Sequence, residues 1–244
     1  MRTEYCFFTD KGSRPVYEDY SGHISSKGMD CFILCDGLGG HGMGAKASQF
    51  VVEYVKEYFE NCASLEEFTT TVANSTQKAL RNEQADLGFT DKMKTTAVIL
   101  VINGSEGVSI HVGDSRMYHF RNNEVIFRTR DHSIPQMLVL TGEISEDEIR
   151  SHPDRNKVLR AFGDDREELK CEISGFDIEE GDTFLLCSDG FWEPVTEKEM
   201  TDSLKKTSSM EEWLEVMSVI ARDNSEDKKM DNFTAVAVGL RGEP

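Results

Sequence analysis

Four β-rich segments, 95–102, 107–112, 116–120 and 125–129, follow one another with no helical stretch between them. Asn122-Asn123 supplies a hairpin turn between the last two. Either side of this run the pattern changes. Residues 5–9 and 31–35 read as strands ending in polar residues. Val51, Val55 and Phe59 then recur at helical spacing, as do Leu65, Phe68, Val72, Leu80 and Leu87. After the run come a polar excursion over 131–160 that reads as helical, strands at 171–176 and 183–187, helices at 197–206 and 210–224, and a closing strand at 233–240. The order is strands, two helices, many strands, two helices, strand. It does not alternate βαβα, so the expected fold is an antiparallel α+β layered structure rather than a doubly wound parallel sheet. No repeat, low-complexity tract or Pro/Ser/Gly linker divides the sequence, and residues 1–244 are expected to form one domain large enough to bury a core.

Charge narrows the partners. A formal net charge of −18, with the acids spread along the chain, repels phosphate backbones and excludes nucleic acid as an expected partner. The same field concentrates divalent cations. The longest apolar run, 97–102, is far too short to span a bilayer, and residues 1–10 lack a secretory pattern. None of the six cysteines sits in a C-x-x-C pair. Cys31 and Cys35 lie about 13 Å apart along one expected strand and cannot bridge. Reduced, mostly structural thiols in a cytoplasmic protein are the expectation.

Four acidic residues end apolar strands beside glycine or another turn-former: Asp36, Asp114, Asp189 and Asp231. Any one of them has a mundane reason to be there, because aspartate forms turns by bonding its own backbone. Four together, three followed directly by Gly or Ser, point instead to a shared site. Clustered carboxylates repel unless something positive lies among them, and hard oxygen ligands select Mg²⁺ or Mn²⁺. The six histidines show no spacing suited to zinc.

The glycine-rich stretch 36–44 contains a decoy. Gly37, Gly39 and Gly42 satisfy G-x-G-x-x-G between a strand and a helix, the dinucleotide-binding context. A second long helix follows the first where a βαβ unit needs a parallel strand, and Asp36 would set a carboxylate against the pyrophosphate. Gly44-Ala45-Lys46-Ala47 also breaks the G-K-[ST] of a phosphate loop.

Asp36-Gly37-Leu38-Gly39-Gly40-His41 resembles the D-G-M-G-G-H signature of bacterial metal-dependent protein phosphatases, the type 2C family. Arg14-x-x-x-Glu18-Asp19 resembles that family's N-terminal motif. Thr95-Thr96, Gly113-Asp114-Ser115-Arg116, Asp131-His132-Ser133, Ser188-Asp189-Gly190 and Asp231-Asn232 match its remaining motifs in order, from Arg14 to Thr234. The resemblance implies a central β-sandwich of two antiparallel sheets flanked by pairs of helices, four layers αββα, with metals in the channel between the sheets. It implies that Asp36 bridges two metals, Gly37 offers its carbonyl, Glu18 and Asp19 support the inner ligands, and Asp189 and Asp231 complete the second metal's shell. Arg14 would clamp the phosphate, as a guanidinium fork suits its oxygens. Its bland alternative is a surface arginine. Segment 131–163 would be the family's flap, a lid over peptide access.

By the same resemblance the activity is hydrolysis of phosphoserine and phosphothreonine in proteins, with Mn²⁺ or Mg²⁺ as cofactor. Two cations ~3.5–4 Å apart hold a bridging water, lower its pKa and neutralise the attacked phosphoryl group. No cysteine motif for a covalent phosphoenzyme is present. His41 is a candidate acid for the leaving oxygen and, equally, a loop histidine that orders the glycine turn. Tyr17, Lys94 and Glu193 depart from the family's usual Asn, Gly and Asp. With Asp114 and Glu193 as its ligands, a third metal is expected to bind more weakly than the first two. Phosphoprotein substrates and a cognate Ser/Thr kinase are the implied partners, acting on a monomer. Two alternatives stand beside this reading: a catalytically weak pseudophosphatase that binds phosphoproteins, and a two-metal hydrolase of small phosphoesters.

Overall fold

The computed structural model describes residues 1–38, 43–90, 92–225 and 229–242. Two antiparallel sheets lie face to face. The first runs in the order β1 (Arg2–Asp10), β11 (Phe233–Arg241), β10 (Thr183–Cys187), β7 (Arg116–Arg121) and β8 (Glu124–Arg128). The second runs β2 (Asp19–Ser26), β3 (Met29–Leu38), β5 (Ala97–Asn103), β6 (Glu106–Val112) and β9 (Glu172–Asp177), with the short β4 (Lys94–Thr95) paired to the end of β3. Each strand's alternation sorts its side chains between layers. In β3, Phe32 and Leu34 face the other sheet's Phe184, Leu186, Val236 and Val238, whereas Cys31, Ile33 and Cys35 face the helices. In β10, Leu185 and Cys187 likewise turn outward.

Helices α1 (Met43–Asn61) and α2 (Leu65–Leu87) cover the second sheet through Val51, Val55, Phe59, Phe68 and Val72. Helices α5 (Glu197–Leu204) and α6 (Met210–Asn224) cover the first through Met200, Trp213, Leu214 and Met217. The αββα layering expected from the resemblance is thus the observed one. Local chemistry sets the helix limits. The Ser64 side chain accepts from the N–H of Glu67 to start α2, and Gly88 at φ 73° ends it. Asn122 and Asn123, at φ 52° and 58°, make the β7–β8 hairpin turn. All six cysteines are free, and among the described residues no helix is long and apolar enough to cross a membrane.

Two sequence expectations need correction. Strand β2, DYSGHISS, gives no apolar signal because it is an edge strand. Its cover is α1, so close that a Cβ on Gly22 would stand 2.8 Å from Val52 Cγ1. The excursion 131–160 is mostly not helical. Only α3 (Ile134–Thr141) and a 3-10 turn (Glu146–Ser151) form there, because Gly142 at φ 77° stops the first and Pro153 follows the second.

Candidate metal centre

The acids meet at one end of the sandwich, contributed by both sheets. Asp36 lies two residues before the end of β3, directly opposite Asp19 of β2 in register. Its backbone is fixed by the break between β4 and β5: Thr95 Oγ1 and the Thr96 N–H donate to its carbonyl at 2.8 and 2.9 Å. Its own N–H donates to Thr96 Oγ1 at 3.1 Å. Asp114 sits in the β6–β7 turn, Asp189 opens the short helix α4 (Asp189–Trp192) straight after β10, and Asp231 lies just before β11. A cleft of about 290 Å³ joins them, lined by Asp36, Gly37, Asp114, Asp189 and Asp231 together with Arg14 and Glu18. Asp19 is buried behind it. His41 lies outside the described residues.

Glycine and asparagine make the close approaches. A Cβ on Gly37 would stand 2.3 Å from the Gly44 carbonyl, so only glycine lets the start of α1 rest on the end of β3. Gly113 turns at φ 103° against Thr96, which sets the direction in which Asp114 leaves the strand. Asn232 ties the N-terminal loop to β11. Its Oδ1 accepts the Glu18 N–H at 2.7 Å, and its Nδ2 donates to the carbonyls of Lys11 and Val16 at 2.8 and 3.2 Å. In this way Glu18 is delivered to the cleft from a segment with no regular structure.

Electrostatics defines what the cleft lacks. Burial, followed by the charges of Asp19, Asp189, Asp114 and Asp231, pushes Asp36 well above the usual carboxylate range. Burial and then Asp114, Glu193 and Asp231 do the same to Asp189. Asp114 rises to about 7, first through burial and then through Asp131. Asp19 also rises to about 7, because burial outweighs the hydrogen bonds it accepts. Ser188 Oγ donates to Asp19 Oδ2 at 2.8 Å, while Asp19 Oδ1 and Glu18 Oε1 are buried with no hydrogen-bond partner. Buried acids left charged and unpaired are costly. An all-oxygen donor set around a small cleft fits Mn²⁺ or Mg²⁺, which would supply the missing positive charge.

The family profile described as Protein phosphatase 2C matches residues 13–234. The chain belongs to the protein phosphatase 2C family. It is 36% identical to the serine/threonine phosphatase stp of Listeria welshimeri, over 95% of this chain and 94% of that one. It superposes on the crystal structure of serine/threonine phosphatase Stp1 from Staphylococcus aureus with a TM-score of 0.90, at 29% identity, covering 99% of this chain and 96% of that one. The catalytic domain of the serine/threonine protein phosphatase PstP, in complex with 2 manganese ions, superposes with a TM-score of 0.83 at 25% identity, over 98% and 99% of the two chains. With the family comes the activity: metal-dependent hydrolysis of phosphoserine and phosphothreonine in proteins, with Mn²⁺ or Mg²⁺ as cofactor.

Within this 2C phosphatase the two remaining expected residues fall in different places. Arg14 stands at the mouth of the metal cleft, its Nη2 on Asp231 Oδ2 at 2.5 Å and its side chain more than half exposed. Glu193, following α4, does not line the metal cleft. It lines a neighbouring cavity, and its Oε2 accepts from Arg155 Nε, in the loop after the 3-10 turn, at 3.1 Å. Asn156 and Val158, from the same loop, do line the metal cleft, and sequence reading did not single them out. The surrounding stretch is polar and aperiodic, and isolated bridges between Ser133 and Val158 and between Thr95 and Phe162 mark where it folds back.

A second potential ligand group needs separating from this centre. His111, His132 and Glu172 bring donor atoms within 4.8 Å of one another. The two rings stack at 10°, however, and both spend ring nitrogens on backbone: His111 Nε2 donates to the Arg130 carbonyl at 2.7 Å, and His132 Nδ1 accepts the Gly113 N–H at 3.2 Å. Parallel rings cannot aim their in-plane lone pairs at one ion. This pair buttresses the turn that carries Asp114.

Proposed function

We propose that Asp36, Asp189 and Asp231, with the Gly37 carbonyl, hold two divalent cations in the cleft, and that Glu18 and Asp19 orient this set from behind. When bound, Mn²⁺ or Mg²⁺ lowers the pKa of the attacking water and neutralises charge on the phosphoryl group. Arg14 binds the phosphate. Its guanidinium has five donors, of which Asp231 takes one, and its exposure at the cleft mouth leaves the rest for phosphate oxygens. His41 gives a proton to the leaving serine or threonine oxygen, which is otherwise a poor leaving group at neutral pH. Asp114 serves a third, weaker cation, with Glu193 at most a water-mediated partner because Arg155 already holds it. The segment 131–163 acts as the flap through Asn156 and Val158.

One observation carries this reading: five buried or half-buried carboxylates line a 290 Å³ cleft whose one arginine, Arg14, stands more than half exposed at its mouth. A non-catalytic phosphoprotein-binding module would have no use for so repulsive a cluster. The finer expectations complete the proposal: residues 1–244 act as one domain, a monomer in the cytoplasm, opposing a cognate Ser/Thr kinase. The test is turnover of a phosphothreonine peptide alongside a metal count. Wild type should bind two Mn²⁺ tightly and lose all turnover with chelator. Asp36→Asn should lose both binding and turnover, and Arg14→Ala should mainly raise KM. Full activity after exhaustive metal removal would sink the mechanism.

A further inference from the structure

Beside the metal cleft lies a second cavity of about 390 Å³, a volume within the range of ligand clefts. The two are continuous, since both are lined by Arg14, Asn156, Asp189 and Asp231. Past these shared residues the character of the wall changes. Arg150 and Arg155 come from the flap, Lys229 from the approach to β11, and Glu193 is the one further carboxylate among the described residues. With the shared residues included, four cations face three carboxylates, still a local reversal of sign in a chain of net charge −18. Asn224 and Ser225 add neutral hydrogen-bonding groups.

The arginines are held in place but not used up. Arg150 donates from Nη2 to Glu197 Oε2 at 2.7 Å and from Nη1 to the Glu193 carbonyl at 3.3 Å. Arg155 commits only its Nε–H to Glu193 Oε2, so among the described residues its terminal fork has no hydrogen-bond partner. A guanidinium fixed through Nε with both terminal nitrogens open is set up for a two-point contact with a phosphate or carboxylate. Lys229 is exposed and adds a mobile point charge beside it.

We infer that this cavity is a subsite for a second anionic group of the substrate chain, a phosphate or an Asp/Glu carboxylate a few residues from the phosphate being hydrolysed. The inference rests on the phosphatase reading and deepens it: the preferred substrates are phosphoprotein segments with clustered negative charge. Such segments would otherwise be repelled by the acidic surface, and a basic pocket beside the reaction site offsets that repulsion where it matters.

The test uses the full chain with Mn²⁺ and three sets of peptides built on one phosphothreonine sequence. One set has neutral flanks. In the second an aspartate is moved through the three positions on either side, and in the third a second phosphothreonine takes those positions. We expect the best acidic or doubly phosphorylated peptide to exceed the neutral one about tenfold in kcat/KM, chiefly through KM. In the double variant Arg155→Ala/Lys229→Ala that ratio should fall towards one. A gain from phosphothreonine alone would identify phosphate as the ligand, and an equal gain from aspartate would show that a carboxylate suffices. Equal turnover of all three sets, or a ratio unchanged in the double variant, would overturn the inference. Hydrolysis of the neutral peptide reports separately on the phosphatase reading, so the two can fail independently.

Discussion

Asp131 and Asp182 are buried as deeply as Asp19 and Asp114, yet the two pairs have opposite surroundings. Asp131 receives a two-point contact from Arg116, at 2.8 and 2.7 Å, and that guanidinium lies 3.3 Å under the Trp192 ring. Asp182 receives Arg121 at 2.9 and 2.7 Å, His119 at 2.8 Å and the Glu179 N–H at 2.9 Å. Burial alone would raise Asp182, but these donors outweigh it and hold its carboxyl below the usual range. In and behind the cleft Asp19, Asp36, Asp114 and Asp189 are raised instead, by burial first; neighbouring carboxylates of the cluster add to it at Asp36 and Asp189, Asp131 adds to it at Asp114, and hydrogen bonds only partly offset it at Asp19. The same residue type therefore does two jobs. Where an aspartate ties strands and loops together, its counter-charge is built into the chain. Where it lines the cleft, the counter-charge must come from outside. The regions also touch: Trp192 Nε1 donates to the Asp114 carbonyl at 2.9 Å, so the paired side steadies the unpaired one.

Neutralising one aspartate in each region should break the symmetry most plainly. On the proposed ligand set Asp36→Asn removes a central metal ligand, and losing several kcal/mol of transition-state stabilisation should lower kcat by about 10³-fold or more. Without metal, the same change should raise the melting temperature, because it removes a carboxyl that folding must either protonate or bury unpaired. Asp131→Asn should do the reverse to stability. It strands Arg116 in a buried site, at a cost of about 3–5 kcal/mol, readable as a lower denaturation midpoint. A metal-free Asp36→Asn protein less stable than the metal-free wild type would show that the cleft is internally compensated after all.

Acidity sharpens the contrast next. Asp19 and Asp114 titrate at about 7 in the folded, metal-free chain, against an ordinary unfolded value of roughly 4. Between those limits the folded state binds more protons than the unfolded one, so its stability is lost as pH rises. Metal-free protein should therefore melt at progressively lower temperature from about pH 4.5 to 7. Saturating Mn²⁺ should flatten or invert that slope, since the cation replaces the protons and binds only the folded form. A slope that is the same with and without Mn²⁺ would mean that the cluster does not hold the ion.

Much of this was legible in the sequence, and the illegible parts share a cause. Helices α1, α2, α5 and α6 and most strands announce themselves by periodicity because each buries one face against a sheet. Asp36, Asp114, Asp189 and Asp231 announce themselves because a charge after an apolar strand has few structural uses. Strand β2 did not, since an edge strand under a helix has no need of an apolar alternation. Nor did Asn232 as the anchor of Glu18, or Arg155 as the partner of Glu193. These are contacts between segments 214 and 38 residues apart, fixed by tertiary placement alone.

Glu193 stands between the two regimes, and the smallest expected effect belongs to it. Its carboxylate adds to the repulsion on Asp189 from one side and accepts from Arg155 on the other. Aspartate is shorter by one methylene, about 1.5 Å, so Glu193→Asp draws the charge away from Arg155 and back towards Asp114 and Asp189. The lost pair is partly exposed, at 38% and 22% for Arg155 and Glu193, so the stability change should stay below about 1 kcal/mol. The gain should lie in metal affinity. Wild type should hold two Mn²⁺ and take up a third only at high concentration, whereas Glu193→Asp should fill the third position at several-fold lower Mn²⁺. Counting bound ions by electron paramagnetic resonance during a Mn²⁺ titration reads this directly. Three tight ions in wild type would mean that the Arg155 contact does not hold Glu193 back from the metals, and would move this residue wholly to the unpaired side of the comparison.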